Sequence, residues 1–512
     1  MSPDTTQLLI SAGWTFLLRP LTAIIVASPT YLAGVLTAAL LRAMVGPATV
    51  RQSLGRGTLP DLLRAWVFTM ALPICSFGVL PLLRELRAMR VSRRILIVTA
   101  LSPVVNFWSI AYGLFQMPWP HMLLLTLLAA LLSIGAAWFW APVEPAEGFA
   151  VLHPDDEPPA ATITGRMLAT ARAAGKLLTD SGWIDVLVGL IACGLVATLT
   201  PEGAVADLIL ERHPWTLLAI GGIALPSYVL PDVAIAHAYQ AWRMGVVPGA
   251  GFLFLVFGAG INLGLFAWIS RTFGIKPLIR FIAVVLLPAL VMAYGADALL
   301  TRANSAWDDI DSLNDYSRSP HVISPGLQGL HQLGERLIVA TGPNHLIALA
   351  ILGALAACSL ATRRRPDRSR RPSSNTTAPQ AISVRALNAA SAGIVAIFLA
   401  ISLYIYFPNA DDGCEAMFSP DAYLGSGVTS GQRDNAAAYI EQLRAIVHRV
   451  EVGQMLRLHP MTPAQRQAAE AYLHSLAELQ TALAGKDNAA AQTANLQNSK
   501  AFHRYHNVMA GT

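Results

Sequence analysis

The sequence predicts an all-α polytopic membrane protein, built as an inverted repeat of helices with broken re-entrant hairpins and followed by a small helical soluble C-terminal domain. Three observations carry this. Apolar residues make up 54% of the 512 and charged residues only 13%, about half the charge of an ordinary soluble domain. Apolar runs close to the roughly 20 residues that cross a bilayer recur along the chain. Two further runs, 61–83 and 214–241, are interrupted by prolines and polar residues at corresponding places.

Taken in order, the chain starts with the polar stretch "MSPDTTQ" and has neither a basic start nor a small-residue cleavage site before its first apolar run. The first helix is therefore expected to stay in the mature protein. Expected spans are 21–44, 94–115, 121–141, 183–200, 249–270, 278–299, 343–361 and 386–407. The net charge of +5 lies mostly in short loops between these runs, where topology signals sit, so nucleic-acid binding is set aside. The expected partners are the lipid bilayer and a small-molecule substrate. Cys75, Cys193 and Cys358 lie in apolar segments and Cys414 in a polar one, so no pair is placed for a disulfide framework.

Arginine sets the orientation. The basic, proline-rich loop "ATRRRPDRSRRP", 361–372, is expected to face the cytoplasm, and the segments alternate from it. The loop 300–342 and everything after about 408 then fall outside, periplasmic in an inner-membrane protein. The linker 142–180, the loop with Arg271, Lys276 and Arg280, and "RELRAMRVSRR" at 84–94 fall inside. This count closes only if 61–83 and 214–241 are broken segments opening to opposite sides. The expected organisation is a permease core over 1–300 (repeat one about 21–141, repeat two about 183–299), an extracytoplasmic loop 301–342, an additional helix pair 343–407 and an extracytoplasmic helical domain 408–512.

The repeat is visible in the letters. "ALP" occurs at 71–73 and 224–226, with Pro81 and Pro231 following. Each is succeeded by a basic patch and then by an apolar helix with a kink and an asparagine, "SPVVN" ending at Asn106 and "GAGIN" ending at Asn262. Inverted repeats with paired broken helices point to a transporter whose substrate site lies near the midplane. Proline inside a helix frees a carbonyl, and in lipid that group needs an internal partner.

At "ASPTYLAGVLTAALL", "ALPICSFGVLPLLRELRAMRVSRRILIVTALSPVVN" and "GAGIN" the chain resembles the bacterial predicted-permease family that includes the trivalent organoarsenical efflux permeases. The likeness covers about residues 20–300. Members of that family usually carry Cys-Ser-Cys-Gly between the prolines; this chain has Cys75, Ser76, Phe77 and Gly78. The resemblance implies a role for Cys75 in handling thiophilic substrates. A soft ion prefers two or three thiolates, so the phenylalanine supports "permease" more than "arsenical".

The candidate substrate path is Pro73, Cys75, Ser76, Gly78, Pro81 and Asn106 from the first half and Pro226, Pro231 and Asn262 from the second. Cys75 is either a path thiol or a small buried hydrophobe. The asparagines either line the path or bond helices together. Asp232 and His237 after Pro231, and Glu85 in the first half, are candidates for proton coupling, because ionisable groups inside a membrane cost roughly 2.5–3.5 kcal/mol and tend to mark function. The alternatives are a hairpin mouth for the first two and an arginine ion pair for Glu85. The arginines at 84–94 read as topology determinants, and the acidic 306–317 and the tail histidines show no metal-ligand spacing.

No phosphate-binding loop, aspartyl-phosphate signature or His-carboxylate set is present, so neither an ATP-driven pump, an enzyme nor a cofactor is expected. The expectation is an inner-membrane secondary transporter that exports a small solute or metalloid compound. The alternatives are a channel, or a membrane-anchored sensor whose helical tail binds a partner. In the tail, 431–452 and 462–484 show helical spacing, with "MTPAQ" as a helix start. Substrate capture, partner binding and dimerisation are all open to it.

Overall fold

The computed structural model describes residues 3–117, 119–142, 162–201, 204–205, 208, 213–243, 248–300, 327–363, 389, 393, 396–397, 400, 403–404, 406–431, 433–485 and 487–509. The expected last span 386–407, most of the loop 300–342 and the basic loop 361–372 fall largely outside these residues. All regular structure among the described residues is helical. The chain divides into a unit of 1–301 with 308–396, and a unit of 302–307 with 397–512.

The first unit runs twice through a similar order of elements, the helix Pro47–Leu54 having no counterpart among the described residues. The first pass is α1 (Pro3–Leu40), α2 (Pro47–Leu54), the pair α3 (Leu59–Met70) and α4 (Val79–Ala88), the pair α5 (Arg93–Ala100) and α6 (Phe107–Gln116), and α7 (Trp119–Trp140). After α8 (Ile163–Thr179) the second pass is α9 (Trp183–Leu199), the pair α10 (Thr216–Ala224) and α11 (Pro231–Arg243), and α12 (Pro248–Leu253) continued by π-helical turns Phe254–Gly260. It ends with α13 (Leu263–Phe273) and α14 (Ile275–Leu300). Both proline-rich runs are therefore broken between two helices.

Caps explain where several helices begin. Thr58 and Asp61 form a capping box at the start of α3, with proline in its first turn, and the Ser92 hydroxyl accepts from the Ile95 N–H at the start of α5. Among the described residues five helices are long and apolar enough to cross a membrane, or seven if each of two bent pairs counts as one span: α8 with α9, bent by 51°, and α12 through its π turns with α13, bent by 56°. Leu123, Leu127 and Leu131 of α7 and Ile279, Leu287 and Val291 of α14 are exposed along helical stripes, as surfaces facing lipid require. The segment 93–114 is by contrast almost wholly enclosed.

Two expectations change in detail. The segments 94–115 and 249–270, expected as kinked single helices, are each interrupted by irregular or π-helical backbone and restart at an asparagine. The charged linker 142–180 contains α8, whose arginines and lysine had read as loop. Its Gly175 lies against Leu355 and Ser359 of α16 (Pro343–Arg363), where the Thr179 and Ser359 hydroxyls meet at 3.1 Å. The helix α15 (Leu327–Val339) precedes α16.

The second unit is a bundle of four helices, α17 (Ala410–Thr429), α18 (Arg433–Leu456), α19 (Pro463–Ala484) and α20 (Asn488–Met509). Short connections make neighbours antiparallel. Thr462 caps α19 with Pro463 at its first position and Gln465 closing the box. The core joins Met417, Leu424, Ile440, Leu443, Leu476, Leu479 and Phe502. Inside it, the Asn498 amide donates to Asp421 at 3.3 Å and the Ser475 hydroxyl lies 3.0 Å from Asn498 Oδ1. Burial pushes the Asp421 carboxyl up to about 6 and the Cys414 thiol up to about 11.

A carboxyl raised by folding binds its proton more tightly in the folded than in the unfolded chain, so its contribution is present at about pH 4 and is lost as the pH rises through about 6. The thermal midpoint of Asp421→Asn in residues 408–512, followed by circular dichroism, should therefore gain on the native bundle between pH 4 and 6. A difference that does not change with pH over that window would show that Asp421 titrates normally.

Candidate functional site

Four interruptions of helical backbone meet at one place in the first unit: 71–78, 101–106, 225–230 and 254–262. They form a closed circuit. The Asn106 amide donates to the Ile74 carbonyl at 3.4 Å, joining the second break to the first. Phe77 stacks on Tyr228 with ring centroids 4.5 Å apart and planes 14° from parallel, joining the first to the third. The Val229 N–H donates to the Gly258 carbonyl at 3.1 Å, joining the third to the fourth. Gly260 lies directly against Val104, joining the fourth back to the second.

Each break restarts as a helix whose first free N–H groups need acceptors, and several sequence-derived candidates fill that role. Cys75 Sγ accepts from the Gly78 N–H at 3.3 Å ahead of α4. Asn106 Oδ1 accepts from the Ser109 N–H at 2.8 Å, with Ser109 returning a bond to Asn106 in a capping box at α6. Asn262 Oδ1 accepts from the Leu265 N–H at 2.9 Å at α13. Asp232 lies in the first turn of α11, with its carboxylate against the N–H groups of Val233 and its own residue. Pro73, Pro226 and Pro231 stand in or beside the breaks and Pro81 in the first turn of α4, so each lost N–H falls where a helix would leave one unpaired.

Several buried polar atoms remain uncommitted in the breaks or, for Thr99, on α5 just before one of them. Ser76 Oγ, Thr99 Oγ1 and Asn262 Nδ2 have no hydrogen-bond partner, and their residues are at most 1% exposed. The Tyr228 hydroxyl faces Cys75 and Thr30 without closing a well-formed hydrogen bond. Native interiors hold few such atoms, because leaving one unsatisfied costs about 1–3 kcal/mol. They come from both passes of the chain. The two asparagines also differ: the Asn106 amide is spent on Ile74, while that of Asn262 is not.

α1 crosses the first break so closely that a methyl at Gly34 would overlap the Gly78 carbonyl; only glycine admits that approach. α9, which packs along α1, also borders the circuit, with Gly189 against the Phe77 ring and Cys193 against the backbone of Tyr228. Two free thiols, Cys75 and Cys193, thus flank Tyr228.

Of the remaining candidates, His237 borders the fourth break and Glu85 lies away from the circuit. His237 is buried on α11, edge-on to Phe254 with centroids 5.8 Å apart. Glu85 is buried on α4 and ion-paired to Arg42 at 2.6 Å. Sequence reasoning did not single out Tyr228, Thr99, Cys193 or the buried Asp185, which bonds Arg84 at 2.6 Å and Arg271 at 2.8 Å. The tyrosine between Pro226 and Pro231, and an acid opening an otherwise apolar run, were the available signals.

Paired broken helices around a shared core of uncommitted polar groups define a multi-pass membrane permease. The family model described as predicted permease matches residues 18–297. The chain belongs to that predicted-permease family, the one that its 71–106 and "GAGIN" motifs resemble. No curated protein and no solved structure matches the chain.

Removing either asparagine cap should cost about 1 kcal/mol, and Asn106→Ala also loses the bond to Ile74, worth about 1 kcal/mol more. The melting temperature in detergent should therefore fall further for Asn106→Ala than for Asn262→Ala. Equal losses would mean that the Ile74 contact does not tie the breaks together.

Proposed function

We propose that this permease is a secondary transporter of the inner membrane, exporting a small solute or metalloid compound by alternating access, with its binding position at the junction of the four breaks. The observation that carries this is the set of buried, uncommitted polar atoms contributed by both repeats: Ser76 Oγ and Thr99 Oγ1 from one, Tyr228 and Asn262 Nδ2 from the other. A structural core would have paired them; a binding position keeps them for its ligand. Cys75 and Cys193 beside the Phe77–Tyr228 stack offer two soft donors and an aromatic wall, which favours a thiophilic compound with an organic group. The arginine-rich loops argue for a periplasmic tail. The family description favours transport over catalysis.

In this reading the candidates divide the work. Pro73, Gly78, Pro81, Pro226 and Pro231 keep the breaks open, and Cys75, Ser76 and Asn262 face the ligand. Asp232 and His237 on α11 are the proton-coupling candidates, while Glu85 is engaged with Arg42.

Everted membrane vesicles given a panel of thiophilic compounds, methylarsenite among them, should accumulate at least one in a proton-dependent way. Cys75→Ser should lower that uptake at least tenfold, with Cys193→Ser giving a smaller loss. If folded protein moves no thiophilic compound, the soft-donor reading fails and the substrate belongs among neutral or anionic metabolites.

A further inference from the structure

Asp185 stands near the start of α9 with its side chain only 3% exposed, and it binds two arginines from different halves of the permease. Arg84, at 2.6 Å, comes from α4 of the first repeat; Arg271, at 2.8 Å, comes from α13 of the second. Arg84 also donates to the Gly182 carbonyl and lies so tightly over that residue that a side chain there would displace it. α13 closes on the same turn of α9, since a methyl at Gly264 would overlap the Asp185 carbonyl. The competing carboxylate of Glu85 is already held by Arg42.

The position of this knot matters as much as its bonds. Gly189, under the Phe77 ring, is four residues beyond Asp185 on the same helix, so the knot sits about 6 Å along α9 from the aromatic stack. Charge counting puts the loops beside Arg84 and Arg271 and the segment leading to α9 on one side of the membrane, the cytoplasmic side.

We propose that Asp185, with Arg84 and Arg271, is the cytoplasmic gate of the transport path. This rests on the transporter reading above. Asp185 clamps α4 and α13 to α9 while the path is shut, and its release from the arginines lets the two repeats part on that side. Arg271, 45% exposed against 18% for Arg84, is the partner that withdraws into water first.

Cys75 is a built-in reporter, buried at the circuit beyond the knot. With Cys193, Cys358 and Cys414 replaced by alanine in the full-length protein, its modification by a membrane-impermeant methanethiosulfonate is followed in everted and in right-side-out vesicles. Asp185→Asn should raise the rate from the cytoplasmic face at least tenfold, and Arg271→Gln by less. The double variant Arg84→Gln/Asp185→Asn, which removes the more buried cation together with the carboxylate, should behave as Asp185→Asn does and serves if the single variant does not fold. An unchanged cytoplasmic rate in these variants, while the native protein is labelled from the periplasmic face, overturns the gate and leaves the transporter standing. Labelling from neither face in any folded variant, with Cys75 reactive after denaturation, overturns both.

Discussion

Everything in the permease core depends on one constraint: inside lipid a backbone N–H or C=O that leaves its helix must find a partner within the protein. Four interruptions in four neighbouring segments would expose many such groups if each faced the bilayer. Gathered into one circuit they satisfy one another, through Asn106 with Ile74 and Val229 with Gly258, and the caps at Cys75, Asn106, Asp232 and Asn262 supply the new helix starts. The breaks are stable because they are together. What they leave unpaired is then concentrated in one buried place.

The two passes are alike in order and unlike in chemistry. The first contributes a thiol, a serine and a phenylalanine in a stretch rich in small residues; the second contributes a tyrosine in a shorter turn between prolines. Phe77, which stands where family members usually have a second cysteine, is spent on the stack with Tyr228. A second thiol, Cys193 of α9, flanks Tyr228 from outside the motif, so a reading confined to the motif would miss it.

Much of this was legible in the letters because it rests on local chemistry. Prolines flanking "ALP" announce breaks whatever the surroundings, and an asparagine after a small or proline-containing turn is a good helix cap, so the two asparagines were found at corresponding places. The cap role itself shows only once the helices restart. Asp185 was passed over because an acid at the edge of an apolar run looks like an interfacial residue; its arginines lie about a hundred residues before it and nearly as far after it. α8 was hidden by its charges, since its partner α16 is remote in sequence. Contacts between distant segments are what periodicity cannot supply.

The stripe on α9 has one more consequence. Gly182, Asp185, Gly189 and Cys193 recur at intervals of three and four, so a single helix presents the salt-bridge knot, the aromatic stack and the second thiol along one line. Those functions share one angular phase. An inserted or deleted residue between Asp185 and Gly189 would turn one part of the line by about 100° against the other. The length of this segment is therefore under tighter restraint than most of its side chains.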